Sequence, residues 1–350
     1  MRLLVVGISW PIETFLMRLF EGLSFQGIKL IFASKQKLNT EWLHQNHVQW
    51  IPLWSAAWRA RLGRAWDAIY FPWNSAAIEN LKLFDQGIPA VVSCRGSQIN
   101  IAPHNSMRSQ MKEGLRTTFY KAAWVHCVSQ AIQNEAMQYG LKLEKSRVIY
   151  PAVDTNFFFP VEPKSKGAIL KIVTIGNLGW VKGHEYALLA IRKLLDDKIA
   201  VRYEIVGDGP DRQRILYTID DLGLQKHVVL HDRLSSEKVR DRLQESDVFL
   251  LSSLSEGISN AALEAMACGL PIITTDCGGM REAITDGVEG FVVPVRDPAA
   301  MALGLKKLTV TSDLRAQMGR MARRKAQRDF DTKRQIIEFL SLFQEVCIRK

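Results

Sequence analysis

Cysteine is scarce in this sequence, and it occurs in none of the arrangements that would give it a structural role. The cysteines are odd in number, scattered, and without a Cys-x-x-Cys pair, which favours reduced thiols in a cytoplasmic protein over disulfides or a zinc site. They are Cys94, Cys127, Cys268, Cys277 and Cys347. No apolar run is long enough for a membrane helix. The apolar residues 3–7 are too few for a signal-peptide core before Pro11 and Glu13, so we expect a first β-strand there.

Motifs for other common ligands are missing as well. No zinc finger, RNA-binding aromatic motif or helix-turn-helix pattern is found, which makes nucleic acid the weakest candidate partner. The G-x-G at Gly207 and Gly209 lacks the continuation of a nicotinamide-binding fingerprint. The Asp-x-Asp sequence at residues 329–331 lies in a basic region far from any predicted strand end, and we interpret it as structural. We expect no metal ion and no cofactor.

Apolar residues and positive charge, in contrast, are plentiful. The 350 residues are 47% apolar and carry a net charge of +10. This length and composition fit two globular domains, and the charge fits an anionic membrane surface or an acidic small substrate. Residues 54–66 are a candidate membrane contact, although tryptophans packed in the core with solvated arginines outside would give the same pattern. That segment contains Trp54, Trp58, Trp66, Arg59, Arg61 and Arg64.

Short β-branched runs alternate with helical patterns along almost the whole chain, which predicts parallel sheets with right-handed crossovers. The predicted strands of the first half are residues 3–6, 30–33, 68–70, 90–93, 124–127 and 148–150. Those of the second half are residues 170–175, 202–206, 228–231, 248–251, 272–275 and 291–293. A proline-rich linker separates the halves. We therefore predict an α/β fold with domains at residues 1–160 and 161–330, followed by a C-terminal helix at residues 331–350.

The most informative stretch runs from Glu256 to Pro271. Glu256 and Glu264 stand eight positions apart, behind an apolar run that predicts a strand. A strand, a glycine-containing turn and a helix present backbone N–H groups and a helix N-terminus, which suits an anionic ligand. Carboxylates repel phosphate, so we interpret the two as acceptors for hydroxyls of two sugar rings that flank a phosphate. A glutamate serving the helix dipole and an unrelated surface glutamate would explain the same spacing.

Two further turns follow predicted strands. Lys182 and Gly183 stand between a glycine loop and a helix, where a lysine can contact a diphosphate or simply be solvated. Gly207 and Gly209 follow the next strand. They can serve the geometry of the turn or allow a flat ligand to approach the backbone.

In this order the motifs closely resemble the retaining glycosyltransferases of family 4. That family has the GT-B architecture: two facing Rossmann-like parallel-sheet domains, an interdomain cleft and C-terminal helices. The resemblance is strong over about residues 170–300 and is carried by residues 176–183, 206–210, 256–271 and 278–294. In the first half it is weaker, and it is carried by residues 11–15, 125–129 and 153–157. By the resemblance, the last helix packs back on the first domain.

The resemblance implies that the second domain binds a nucleotide-sugar donor and the first an acceptor. Glu264 would accept hydrogen bonds from the ribose, Glu256 would hold the donor sugar, and Lys182 would contact the diphosphate. Neighbouring backbone N–H groups would hold the phosphate; they belong to Gly257, Ile258, Ser259 and Asn260. The nucleobase would lie near the turn at Gly209 and Pro210 and the loop at Arg233.

The chain departs from the family pattern at two places. Asn177 stands where many members have an arginine that contacts the diphosphate. Arg95 and Gln98 stand where many have the His and the Asp of a His-Gly-x-Asp sequence. Arg95 would bring a fixed positive charge toward the diphosphate, in place of the one missing at Asn177, or would pair with a nearby carboxylate. We assign Arg95, Lys182 and Glu256 as catalytic.

These motifs predict a metal-independent, retaining glycosyltransferase that moves a sugar from a nucleotide sugar to a saccharide or lipid-linked saccharide. Surface polysaccharide or glycolipid synthesis, in the cytoplasm or at the inner face of the membrane, would be its setting. A sugar-nucleotide epimerase, a phosphorylase and a non-catalytic nucleotide-sugar-binding partner share the architecture and remain open. An epimerase would release an altered donor without any acceptor.

Overall fold

A computed structural model describes residues 1–61, 66–105, 110–161 and 169–348. The chain divides into two compact units. Unit 1 comprises Met1–Pro151 and Thr332–Lys350, and unit 2 comprises Ala152–Asp331. The change of unit therefore falls before residue 152, whereas the sequence placed it after residue 160.

Unit 1 is built on a seven-stranded sheet in which every pairing is parallel, in the order β3-β2-β1-β4-β5-β6-β7. The strands are β1 (Arg2–Val6), β2 (Lys29–Ser34), β3 (Gln49–Pro52), β4 (Ala68–Phe71), β5 (Ala90–Cys94), β6 (Trp124–Cys127) and β7 (Ser146–Val148). The helices are α1 (Thr14–Phe25), α2 (Thr40–Gln45), α3 (Leu53–Arg61), α4 (Asn74–Glu79), α5 (Ser97–Asn100), α6 (Gln110–Lys121), α7 (Gln130–Met137) and, from the chain end, α15 (Thr332–Ile348).

Unit 2 is built on a six-stranded parallel sheet in the order β10-β9-β8-β11-β12-β13. Its strands are β8 (Leu170–Ile175), β9 (Val201–Val206), β10 (Val228–His231), β11 (Val248–Leu251), β12 (Ile272–Thr275) and β13 (Gly290–Val293). Its helices are α8 (His184–Asp196), α9 (Arg212–Asp221), α10 (Ser236–Glu245), α11 (Asn260–Ala267), α12 (Met280–Ala283), α13 (Pro298–Val310) and α14 (Ser312–Asp329). The two doubly wound sheets confirm the predicted α/β class with Rossmann-like domains.

The core of unit 1 has apolar side chains on both faces of the sheet, as expected for parallel strands between helix layers. Helix α15 packs beside α1 and against one face. Its Phe339 and Phe343 both contact the ring of Tyr70 on β4 edge-to-face, with centroids 6.0 and 5.3 Å away. Such aromatic pairs add to the free energy gained by burial, so the last helix is an integral part of the core of this unit.

Residues 152–160 belong to unit 2 because α14 holds them. Arg323 on α14 donates from Nη1 to the Phe158 carbonyl at 2.7 Å and from Nη2 to the Thr155 carbonyl at 2.8 Å. Asp331 accepts a hydrogen bond from the Thr155 hydroxyl at 3.1 Å, and Phe330 is buried. Through these contacts, the Asp-x-Asp sequence joins the first residues of unit 2 to its last residues. The Asp-x-Asp sequence therefore has a structural role.

The basic-aromatic segment at residues 54–66 does not act as one surface. Trp54 on α3 is 79% exposed, but Trp66 is only 2% exposed and packs in the core. Trp66 therefore cannot contact a membrane surface. The side chains of Trp58 and Arg61, and all of Arg64, lie outside the described residues. Among the residues described, no helix combines the length and apolarity needed to cross a bilayer.

Candidate functional site

The side chain of Lys182 is fixed in place by the turn between β8 and α8. Gly183 has φ +58°, and a Cβ there would lie 2.4 Å from the carbonyl oxygen of Ser252, at the end of β11. The Ser252 hydroxyl donates to the Lys182 carbonyl at 2.8 Å. Only glycine fits this left-handed position and close approach. Gly183 therefore lets α8 begin directly against β11, and Lys182 lies at the carboxyl edge of the sheet.

The second turn, between β11 and α11, carries the acidic pair. Ser259 caps α11, because its hydroxyl accepts a hydrogen bond from the Ala262 N–H at 3.3 Å. This bond satisfies one of the unpaired N–H groups in the first turn and stabilises the N-terminus of the helix. Because α11 begins at Asn260, Glu264 lies just over one turn into it. Ile258 and Ser259 are buried, and Asn260 Oδ1 is buried without a hydrogen-bond partner.

Lys182 and Glu256 meet at this edge. Lys182 Nζ lies 2.6 Å from Glu256 Oε1, with side chains 23% and 12% exposed. Ser253 also donates to Glu256 Oε1, at 2.7 Å. Partial burial makes such a pair sensitive to the loss of either partner. The structure thus brings together two of the three residues that we assigned as catalytic, although 74 positions separate them.

A third turn, after β12, packs against the backbone of Glu256. Gly278 has φ +52°, and a Cβ there would lie 1.8 Å from the Glu256 carbonyl oxygen, so this turn and the Glu256 backbone are in direct contact. The Gly279 N–H donates to the Gly257 carbonyl at 2.7 Å. Burial raises the pKa of the nearby Cys277 thiol to about 12, and Glu256 adds to the shift. The thiol is therefore protonated and unreactive at neutral pH.

The glycines after β9 have a packing role. A Cβ at Gly207 would lie 1.8 Å from the Gly176 carbonyl oxygen, and one at Gly209 would lie 2.6 Å from the Leu178 carbonyl oxygen. Both glycines therefore let the β9 turn lie directly on the loop after β8. Pro210 and Arg233 are exposed beside this turn and after β10. The assignment of Gly209, Pro210 and Arg233 to the nucleobase stays a prediction.

Asn177 is exposed in the loop after β8. Behind it, His184 at the first position of α8 is 2% exposed, and its Nε2 lies 3.5 Å from the Asn177 carbonyl oxygen. Burial lowers the pKa of His184 to about 4, with an opposing contribution from the Asn177 carbonyl. A neutral imidazole therefore contacts the loop that carries Asn177. Lys182, and not Asn177 or His184, provides positive charge beside this loop.

Arg95 lies in unit 1, directly after β5. Its Nε donates to the Pro72 carbonyl at 3.1 Å and its Nη2 to the Tyr70 hydroxyl at 3.2 Å. Gln98, which stands at the family's Asp position, accepts from the Ser75 N–H at 3.2 Å and so serves the start of α4. No carboxylate pairs with Arg95 within the ranges that the structure describes. The alternative that Arg95 pairs with a nearby carboxylate is therefore not realised among the described residues of unit 1.

Sequence reasoning missed several residues around these assigned positions. Ser253 had no motif to mark it, because a serine two residues after a strand is common. His126 stood inside a segment that resembles the family and Ser93 at the end of a predicted strand, but neither had a role attached. Over the described ranges, no cluster of three or more His, Cys, Asp or Glu side chains has the geometry of a metal site.

Comparison with known families matches almost the whole chain. The model described as Glycosyltransferase Family 4 matches residues 13–157, and the model described as Glycosyl transferases group 1 matches residues 156–325. The junction of the two matches falls close to the change from unit 1 to unit 2. Each unit is therefore matched by its own family model.

Named relatives and solved structures agree with this match. The provisionally assigned colanic acid biosynthesis glycosyltransferase WcaL of Escherichia coli (strain K12) is 33% identical over 59% of this chain and 52% of its own length. The amylovoran biosynthesis glycosyltransferase AmsK of Erwinia amylovora is 30% identical over 52% of this chain and 46% of its own length. The chain spans about half the length of the curated relatives it matches.

Among solved structures, Anabaena Alr3699/HepE in complex with UDP superposes with a TM-score of 0.84 at 19% identity, covering 99% of this chain and 100% of that one. Sucrose-phosphate synthase from Thermosynechococcus elongatus gives 0.83 at 16% identity, covering all of both chains. At these identities the likeness shows the fold. With a family model on each half and the fold of glycosyltransferases throughout, this chain belongs to glycosyltransferase family 4, the glycosyl transferases group 1.

Proposed function

We propose that this chain is a retaining glycosyltransferase that transfers a sugar from a nucleotide sugar to a hydroxyl of a saccharide or lipid-linked saccharide. The observation that carries the proposal is the Lys182–Glu256 pair, which stands beside the capped N-terminus of α11. At this edge of the sheet, the cation and the backbone N–H groups suit the diphosphate of a nucleotide sugar. The carboxylate suits the hydroxyls of its sugar. Relatives named for colanic acid and amylovoran biosynthesis favour an extracellular polysaccharide as the product.

In this proposal the donor diphosphate lies between Lys182 and the N–H groups of residues 257–260. Negative charge develops on the leaving phosphate oxygen as the bond to the anomeric carbon breaks, and preorganised donors stabilise that charge. Glu256 accepts hydrogen bonds from Lys182 and Ser253. We expect donor binding to draw Lys182 toward phosphate, so that Glu256 can accept from a sugar hydroxyl. Glu264 then accepts from the ribose.

We expect the acceptor hydroxyl to attack the anomeric carbon directly, because none of the residues that we assigned in unit 2 acts as a nucleophile. As the carbon–oxygen bond to the diphosphate breaks, its electron pair stays on the phosphate oxygen. The acceptor hydroxyl attacks the same face of the sugar, and its proton passes to that oxygen. The configuration at the anomeric carbon is retained. No metal ion enters this course, because Lys182 and the amide N–H groups carry the charge of the leaving group.

A panel of nucleotide sugars read by thermal shift tests the donor assignment. A ligand that binds only the folded state should raise Tm by about 5 °C at a hundredfold excess over Kd. UDP-glucose belongs in the panel because HepE has been crystallised with it. The matched variant Glu264→Gln should lose about half of the shift or more, as expected for a Kd raised roughly tenfold to a hundredfold. A panel without any shift would contradict a nucleotide-sugar site.

The reaction is then followed by NMR with the donor so identified, with and without EDTA. An unchanged anomeric configuration in the product and an EDTA-insensitive rate are expected. Inversion of the anomeric configuration would contradict the retaining mechanism. Loss of the rate in EDTA would contradict the metal-free mechanism. An altered donor released without acceptor would identify an epimerase, and binding without turnover a non-catalytic partner.

A further inference from the structure

Arg95 is held between two aromatic rings. Its guanidinium carbon lies 4.8 Å from the ring centroid of Phe15 on α1 and 5.9 Å from that of Trp73, before α4. The two rings are nearly perpendicular, at 83°. Aromatic rings at these distances favour the positive charge of the guanidinium and limit its movement. Phe15 thus joins the motif at residues 11–15 to Arg95.

Two hydrogen bonds fix the orientation of the Arg95 guanidinium. Nε and Nη2 donate to the Pro72 carbonyl and the Tyr70 hydroxyl, and these bonds use the inner edge of the guanidinium. The outer edge, formed by Nη1 and Nη2, has no protein acceptor among the residues that the structure covers. A planar edge with two parallel N–H donors is the geometry that binds phosphate or carboxylate in a bidentate manner.

Behind Arg95, three buried side chains form a hydrogen-bonded chain across neighbouring strands. The Tyr70 hydroxyl lies 2.8 Å from Ser93 Oγ, and Ser93 Oγ lies 2.7 Å from His126 Nδ1. His126 Nε2 lies 2.8 Å from the Ile149 carbonyl oxygen. Tyr70, Ser93 and His126 are all fully buried. No water competes for these bonds, so each donor and acceptor depends on its neighbour.

The direction of every bond in this chain is determined. A carbonyl oxygen only accepts, so Nε2 of His126 carries the proton and Nδ1 accepts. Burial, assisted by the charge of Arg95, lowers the pKa of His126 to about 3, so the ring stays neutral. Ser93 must then donate to His126, and Tyr70 must donate to Ser93. The free lone pairs of the Tyr70 oxygen therefore face Arg95, which donates to it.

We propose that Tyr70, Ser93 and His126 are positioning residues that hold the outer edge of Arg95 ready for an oxyanion, a phosphate or carboxylate group of a substrate. The proposal deepens the proposed function and rests on it for the substrate. The positioning itself does not depend on which reaction is catalysed. Two sources supply this chemistry: the diphosphate of a donor and an acidic sugar of an acceptor.

Tyr70→Phe is the sharpest test, because it removes one oxygen and keeps the ring that packs on Phe339 and Phe343. Ser93 can still donate to His126 in this variant. Tyr139→Phe is the matched control; it removes the part-buried hydroxyl of a buried tyrosine, which donates to Glu135 Oε1 at 3.4 Å elsewhere in unit 1. The variants are compared in three measurements on the full chain.

The first measurement needs no activity: the rate at which phenylglyoxal modifies Arg95, followed by peptide mass spectrometry. Loss of one hydrogen bond should raise that rate about fivefold in Tyr70→Phe and leave it unchanged in Tyr139→Phe. An unchanged rate in Tyr70→Phe overturns the positioning role, whatever reaction the protein catalyses. The proposed function can thus fail while this inference stands.

The second measurement is protection of Arg95 from phenylglyoxal by UDP and by glucuronate. Protection by UDP identifies a diphosphate as the oxyanion, and protection by glucuronate alone identifies an acidic sugar. Protection by neither at saturating concentration overturns the oxyanion assignment.

The third measurement is a double-mutant cycle on kcat/KM for hydrolysis of the donor found in the thermal-shift panel. Tyr70→Phe should lower kcat/KM about fivefold in the native background and leave it unchanged in an Arg95→Met background. An equal loss in both backgrounds would mean that Tyr70 acts on the fold and not through Arg95. That result would overturn the proposal.

Discussion

Lys182 and Glu256 are bonded to each other at 2.6 Å, although the proposed function requires them to contact different parts of a donor. Each neutralises the other, so neither charge is left uncompensated in a partly buried site. The proposed function expects the donor diphosphate to replace Glu256 as the partner of Lys182, and sugar hydroxyls to replace Lys182 as the partner of Glu256.

Replacing Lys182 with Met should reduce turnover far more than stability. One preorganised donor to a leaving group contributes about 10²–10³-fold to kcat, and we expect a loss of about that size. Glu256 is only 12% exposed and would keep Ser253 as a donor, so the cost in folding should be about 1–3 kcal/mol. Lys306→Met is the control, since Lys306 pairs with Asp197 at 2.7 Å on the surface. A kcat within threefold of the native value would remove Lys182 from the mechanism.

Glu264→Gln should weaken binding of the nucleotide sugar and leave the fold intact. A hydrogen bond to a charged group contributes about 1.5–3 kcal/mol, so Kd should rise roughly tenfold to a hundredfold. Isothermal titration measures this directly. Glu245→Gln provides the comparison, because Glu245 is exposed on α10 and pairs with Arg242 at 2.9 Å. If both variants bind equally well, the ribose contact is assigned to the wrong residue.

Gly183 and Gly223 offer a matched pair for testing the turn that holds Lys182. Both have positive φ, +58° and +62°, but a Cβ at Gly223 has nothing within 4 Å, whereas one at Gly183 meets Ser252. Each change to alanine should cost about 1 kcal/mol for the left-handed backbone. Gly183→Ala alone should add steric strain and lower kcat/KM by displacing Lys182. Urea unfolding and initial rates measure the two effects, and equal losses in both variants would refute the steric argument.

Much of the fold could be predicted because parallel strands that are buried on both faces read as continuous apolar runs. Strands β6, β8, β10, β11 and β12 have the predicted bounds. The missed strand, β3 (Gln49–Pro52), is an edge strand with one buried residue and a terminal proline. The shifted strand, β7, is the opposite edge and is only half-buried. These two edge strands of unit 1 lack the apolar run that made the other strands visible, whereas β10, an edge strand of unit 2, has one.

The site was predictable only in part, for a geometric reason. The carboxyl ends of parallel strands share one edge, so Lys182 and Glu256 could be expected near each other from their turns alone. The chain through Tyr70, Ser93 and His126 could not be predicted. It depends on the register of β5 on β6, where Ser93 is directly opposite His126. A shift of one residue would have turned one of these side chains to the other face.

Two buried histidines predict how stability changes with pH. Burial lowers the pKa of His126 to about 3 and that of His184 to about 4, with Arg95 adding to the first shift and Lys182 to the second. The Asn177 carbonyl and Asp211 oppose the shift at His184. In the unfolded chain both titrate near 6.5. Between pH 6.5 and 4 the unfolded state therefore binds more protons than the folded state.

The free energy of unfolding should accordingly fall as pH drops below 6.5, with each histidine contributing up to about 1.4 kcal/mol per pH unit. Urea unfolding at pH 7.5, 6.5, 5.5 and 4.5 measures the slope. His126→Gln should flatten it by about that amount, even though its stability at pH 7.5 is lower. A slope that is the same with and without His126 would mean that the ring takes up a proton in the folded state. The direction of the chain behind Arg95 would then be wrong, because a protonated His126 could not accept from Ser93.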